Sequence, residues 1–161
     1  MKKLFPLFFF VVFCSPRNEG KELSIPLRDW NGKKVTLSDF KGKIVVLDFW
    51  ASWCEPCKKS VPVIEALKKN SDPEKVVFFG VNTDSEKTPA EVQRFAKKFG
   101  MTYDSLLDSS MVLSESLQIT GLPALAFFNG NGELLYRQYG VSVTDLPFLS
   151  HKLKNWSNGK N

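Results

Sequence analysis

The sequence predicts one α/β domain, a central mixed β-sheet flanked by helices, and three observations carry that prediction. Strand-like apolar runs alternate with segments of helical spacing through the middle of the chain, the pattern of a layered α/β fold. Asn31-Gly32 near the start and Asn129-Gly130-Asn131-Gly132 near the end sit between apolar runs and mark hairpins, which make the sheet mixed rather than purely parallel. The 161 residues, 43% apolar and 24% charged, suit a single globular core.

The elements follow in order. Leu23–Leu27 and Val35–Leu37 flank Asp29-Trp30-Asn31-Gly32 and predict an opening β-hairpin. Ile44–Trp50 is a continuous β-branched and aromatic run, as expected of a central strand buried on both faces, with one acid, Asp48, inside it. Glu55–Asn70 changes to helical spacing, with Val61, Ile64 and Leu67 on one side and Lys58, Lys59, Glu65 and Lys68 around the other. Val76–Asn82 predicts a second buried strand. Pro89–Phe99 predicts a helix with Thr88 as N-cap, Pro89 at its first position and Gly100 past its end. A short strand around Ser105–Asp108, a helical turn around Met111–Leu117 and a strand Ala124–Phe128 come next. The Asn-Gly-Asn-Gly turn leads into a strand Glu133–Tyr139, and Thr144–Trp156 closes the chain with an amphipathic helix. Within this order, the strand–helix stretch from Val76 to Leu117 occupies the middle of the chain.

Composition narrows function. The net charge is +5, and setting aside Lys2 and Lys3 leaves +3, with the remaining lysines interspersed among acids. That is a solvated surface rather than a nucleic-acid stripe, so no nucleic-acid partner is expected. Residues 1–14 carry a targeting pattern: Met1-Lys2-Lys3 is a positive start, and Leu4–Phe13 is an apolar run of ten, too short to span a bilayer. A small-x-small cleavage site is missing. Val11-Val12-Phe13-Cys14 resembles a loose bacterial lipobox, which would place a lipid on Cys14, with a retained hydrophobic anchor or a free cysteine as the other readings. Residues 15–22 form a polar tether of roughly 25 Å if extended, and residues 23–161 the folded domain. This organisation predicts an extracytoplasmic, bacterial location, in the periplasm or anchored to the membrane facing it.

The chemistry concentrates at Cys54-Glu55-Pro56-Cys57. In disulfide exchange the thiolate is the nucleophile, and a helix N-terminus favours it through unpaired backbone N–H groups. Cys54 falls where the helix begins. Cys57, three residues on, returns to nearly the same face, so it can attack a mixed disulfide formed at Cys54. Pro56 suits the first turn, and Glu55 beside Cys54 partly opposes its ionisation; both tune the redox potential. Other readings of the pair are a zinc site, a structural disulfide and carriage of copper through the reduced cysteines. Zinc lacks ligands, since only Cys14 and His151 stand beside the pair, and no metal site is assigned. A structural disulfide closing so short a loop adds little stability. Copper carriage is the alternative from another functional class. Asp48, buried in its strand, should have a raised pKa and so act as a proton acceptor for Cys57, unless its side chain reaches solvent or caps a loop.

The segment Asp48-Phe49-Trp50-Ala51-Ser52-Trp53-Cys54-Glu55-Pro56-Cys57-Lys58-Lys59 resembles the active site of thioredoxin-like proteins, and the chain from about Leu23 to Trp156 most resembles the TlpA/ResA branch. The resemblance implies a thioredoxin-like fold with an N-terminal β-hairpin and, around Val76 to Leu117, a central strand–helix insertion relative to plain thioredoxin; it also implies Cys54 as attacking and Cys57 as buried resolving cysteine, and a cis-proline facing them at Leu122-Pro123. It implies that the backbone of Leu122 pairs with an extended substrate peptide. Asp48 matches the buried aspartate of classical thioredoxins. Ser60 departs from ResA-like proteins of cytochrome maturation, which carry glutamate there. Trp50 is expected in the core, and Trp53 at the surface against substrate. Lys58 and Lys59 read as solvated and His151 as incidental. A peroxiredoxin motif and a haem-attachment histidine are both lacking. The expected activity is protein thiol–disulfide exchange, reductive in direction. It would use no cofactor beyond the Cys54–Cys57 disulfide and act on protein disulfides as a monomer, with a membrane thiol reductase of DsbD/CcdA type as electron donor.

Overall fold

The computed structural model describes residues 24–160; Cys14, the targeting segment, the whole tether and Leu23 lie outside them. The hairpin forms from β1 (Leu27–Asp29) and β2 (Lys34–Val35), paired antiparallel. The Asp29 carboxylate accepts from the backbone N–H of Asn31 and Lys33, which fixes the turn from the side-chain end. Leu37 does not extend β2 as expected. It starts a 3₁₀ turn over Leu37–Phe40, because Asp39 reaches back to accept from the Thr36 backbone N–H at 2.7 Å and bends the chain out of the sheet.

The next elements match their sequence signals closely. β3 is Ile44–Trp50, α1 is Glu55–Lys69, β4 is Val76–Asn82 and α2 is Pro89–Phe99. Thr88 caps α2 by accepting from Glu91 N–H, and Gly100 ends it in the left-handed region at φ 87°. α1 carries an interior proline, Pro62, which removes one helical donor. Beyond α2, β5 (Ser105–Leu107), α3 (Val112–Ser116), β6 (Ala124–Phe128) and β7 (Leu134–Tyr139) follow. Glu133 belongs to the turn rather than to β7, since Asn129 Oδ1 accepts from the N–H groups of both Asn131 and Glu133. A 3₁₀ turn at Val143–Asp145 precedes the last helix, α4 (Leu146–Ser157).

The seven strands lie in the order β2-β1-β5-β4-β3-β6-β7. β3 pairs parallel with β4 and antiparallel with β6, and β4 pairs parallel with β5, so the sheet is mixed. All seven residues of β3 are buried. Alternation along the strand sends Val45, Leu47 and Phe49 into one core with Leu113 and Leu117 of α3. Ile44, Val46 and Trp50 enter the other, with Val61, Ile64 and Leu67 of α1, Val92 and Ala96 of α2 and Leu149 and Leu153 of α4. Asp48 shares the second face by the same alternation. One ladder row runs across the sheet there: Leu125, Asp48, Gly80, Ser105. Gly80 is required in that row, because a Cβ would come within 2.2 Å of Ser105 Oγ and 2.8 Å of Trp50 Nε1.

Candidate active site

β3 ends at Trp50, and the chain crosses a short loop before α1 begins. Trp50 is 1% exposed and its indole N–H donates to Ser105 Oγ at 2.7 Å, which pins the strand end across Gly80. In the loop, Ser52 is held twice by Asp84: the carboxylate accepts from its N–H at 2.8 Å and from its hydroxyl at 3.0 Å. Asn82 Nδ2 donates to the same carboxylate and so orients it. Trp53 follows, 72% exposed.

Cys54 is the N-cap residue of α1, with extended backbone angles, and Cys57 N–H donates both to its carbonyl at 3.1 Å and to its Sγ at 3.2 Å. Glu55 and Pro56 occupy the first turn. The two cysteines form a disulfide, with Cα atoms 5.2 Å apart. Helix spacing brings the sulfurs together, and the helix N-terminus places a donor on Cys54 Sγ where negative charge develops in the reduced state. Burial is close to equal, 3% for Cys54 and 1% for Cys57. In the oxidised protein Cys54 is therefore nearly as buried as Cys57, rather than the more open of the two. Glu55 and Lys58 form a long, exposed pair at 3.9 Å.

Asp48 lies on the face of β3 that packs against α1 and is 2% exposed. Loss of water pushes its pKa up to about 7, against the opposing effect of the Tyr103 hydroxyl, which donates to Oδ2 at 2.8 Å. Its Oδ1 is buried with no hydrogen-bond partner among the described residues. Ser60, fully buried, donates its hydroxyl to the Cys57 carbonyl at 2.8 Å, so the site has no carboxylate at that position.

The Leu122-Pro123 bond is cis, as the resemblance implies. Pro123 is buried and Leu122 half-buried. Pro56 and Pro123 line one open groove of about 710 Å³, together with Lys59, Pro62, Tyr139 and Val143. His151 is exposed, hydrogen-bonded to Asn155, and does not line that groove. Among the described residues, no three His, Cys, Asp or Glu side chains cluster in a way that could hold a metal ion.

The Redoxin family profile matches residues 18–153, most of the chain. The chain belongs to the Redoxin family. This Redoxin is 35% identical over 119 residues to the thiol-disulfide oxidoreductase ResA of Bacillus subtilis, covering 73% of this chain and 65% of that protein. It is 40% identical over 92 residues to the thioredoxin-like protein YneN of the same organism, covering 56% and 54%. It therefore spans under two thirds of the length of either relative. The crystal structure of StoA from Bacillus subtilis superposes with a TM-score of 0.63 at 28% identity, over 83% of this chain and 95% of that one. The fold is thioredoxin-like, a mixed seven-stranded sheet between helices.

Tyr103, Asp84, Ser52 and Ser105 carry no role in the sequence reading. Two signals pointed towards them: a glycine inside the strand-like run Val76–Asn82, which marks a close approach, and the Asn82-x-Asp84 pair just after it, residue types that bond locally at strand ends.

Proposed function

We propose that this Redoxin is an extracytoplasmic thiol–disulfide oxidoreductase that reduces disulfides in proteins. The observation that carries the reading is a Cys54–Cys57 pair at the N-terminus of α1, which packs on the same face of β3 as a buried Asp48 whose pKa is raised to about 7. In the reduced protein, Cys54 thiolate attacks one sulfur of a substrate disulfide; a Cys54–substrate S–S bond forms and the other substrate sulfur leaves as thiolate. Asp48 takes the Cys57 proton. Cys57 thiolate then attacks Cys54 Sγ, closing the intramolecular disulfide and releasing the second substrate sulfur. Two electrons pass from the cysteine pair to the substrate.

Trp53 and the groove beside Pro56 and Pro123 receive the substrate chain, with the backbone at Leu122 as its pairing edge. A pair poised for reduction needs resupply of electrons, and by family resemblance the donor is a membrane thiol reductase of DsbD/CcdA type. The basic start and apolar run of residues 1–14 support export, with attachment to the membrane at Cys14 by lipid or through a retained anchor. The domain acts as a monomer, with the disulfide itself as its only redox group.

The test is the equilibrium redox potential of the pair in glutathione or dithiothreitol buffers, read by thiol labelling. A value near or below about −230 mV supports the reductant, and one well above about −180 mV makes the protein an oxidant. Failure to form the disulfide, with stoichiometric copper binding by the reduced pair, would overturn the exchange activity in favour of metal carriage.

A further inference from the structure

Asp48 and Tyr103 are 55 positions apart and meet in the core. Tyr103 is 3% exposed, and its hydroxyl engages one carboxyl oxygen, Oδ2, while Oδ1 has no partner among the described residues. A carboxyl group held in this way has one oxygen fixed by a donor and the other open to a proton. The phenol does not pass its own proton on, because burial and the charge of Asp48 push its pKa well above the ordinary value.

The segment carrying Tyr103 is fastened to the helix that carries the redox pair. Glu65 on α1 accepts from Thr102 N–H at 2.6 Å and from Thr102 Oγ1 at 2.7 Å, and Lys68 donates to Thr102 Oγ1 at 2.6 Å. Thr102 immediately precedes Tyr103, so α1 sets the place of the phenol as well as that of Cys57. Of the charged groups on α1, Glu65 bears on Tyr103, and Lys68 is engaged with Thr102. Across the sheet, Gly80, Ser105 and Leu125 occupy the same row as Asp48 and do not titrate.

We propose that Tyr103 is a positioning residue of the resolving step, which holds Asp48 through Oδ2, leaves Oδ1 as the oxygen that exchanges the Cys57 proton, and favours the ionised carboxylate. This rests on Asp48 being the proton acceptor for Cys57. A hydrogen bond to a charged group shifts the ionisation equilibrium by about one to two pH units. Without the phenol hydroxyl, Asp48 therefore stays protonated to higher pH and resolution slows near neutrality.

The experiment follows the reduced full chain reacting with 5,5′-dithiobis(2-nitrobenzoate) between pH 5 and 9. The first release of thionitrobenzoate reports mixed-disulfide formation at Cys54 and the second reports resolution by Cys57. For Tyr103→Phe the midpoint of the second phase is expected to move up by about one to two pH units, with the first phase unchanged. For Asp48→Asn the second phase is expected to lose that midpoint. If Asp48→Asn abolishes the titration and Tyr103→Phe leaves it in place, the role of Tyr103 is overturned alone; if Asp48→Asn leaves it in place, the acceptor role of Asp48 fails and this proposal with it. Carbon-13 NMR of the unmutated protein gives a second reading that does not depend on a variant folding. The Tyr103 ζ-carbon should titrate with the Asp48 carboxyl carbon, and a Tyr103 signal that stays flat while the carboxyl titrates refutes the coupling.

Discussion

Replacing Asp48 with asparagine should change how the stability of the oxidised protein depends on pH. In the fold, burial raises the carboxyl from 3.8 to about 7; in the unfolded chain it returns to water and its ordinary value. Between those two pH values the folded state holds a proton that the unfolded state has released. Stability therefore falls as pH rises through this window, by up to about 1.4 kcal/mol per pH unit, and levels off above pH 7. Over some three units the integrated loss is on the order of 4 kcal/mol, an upper figure for a site that water reaches poorly. Asparagine has the same shape and does not titrate. The quantity to compare is the stability difference between Asp48→Asn and the parent at pH 4 and at pH 8, since changes in packing and hydrogen bonding that are independent of pH cancel. The variant should gain on the parent by about 2 to 4 kcal/mol across that range, measured by guanidinium unfolding with tryptophan fluorescence. Parallel stability profiles for the two proteins from pH 4 to 9 would refute the reasoning, because they would mean that Asp48 titrates alike in the folded and unfolded chains.

Three other outcomes are expected. Cys57→Ala should trap substrate proteins on Cys54 as mixed disulfides, seen as slower bands on non-reducing gels that collapse with dithiothreitol, whereas Cys54→Ala should trap none. Ser105→Ala leaves the buried Trp50 indole N–H without its acceptor and should cost about 1 to 3 kcal/mol in denaturant unfolding; a loss below about 0.3 kcal/mol would show that the indole finds another partner. Glu55→Gln removes a negative charge next to Cys54. With the side chain 65% exposed and screened by solvent, it should raise the redox potential of the pair by only on the order of 10–20 mV, by favouring the thiolate of the reduced form.

The parts of this protein readable along the chain are those set by neighbours in sequence. The apolar run Ile44–Trp50 could only be a buried strand, Thr88 and Gly100 bracket a helix through their own backbone preferences, and the spacing of Cys54 and Cys57 puts two sulfurs on one helical turn. Cys54 thus shows its chemistry in the sequence. Its low exposure does not, because burial is set only once the whole chain has packed.

The environment that tunes the pair was decided by tertiary structure. Asp48 invites suspicion in the sequence, yet its partner Tyr103 is 55 positions away and is chosen by where the segment before β5 reaches the sheet. The same holds for Asp84, which reaches back 32 positions to hold Ser52, and for Ser105, which meets Trp50 only because Gly80 leaves room between them. The cis geometry at Leu122-Pro123 came from family resemblance, since an isolated Leu-Pro pair favours trans. Sequence by itself determined where the redox chemistry sits, because helix starts, strand runs and cysteine spacing are local properties. Which groups desolvate Asp48 and hold it was left to the register of the sheet, because burial and long-range hydrogen bonds exist only once distant segments have packed.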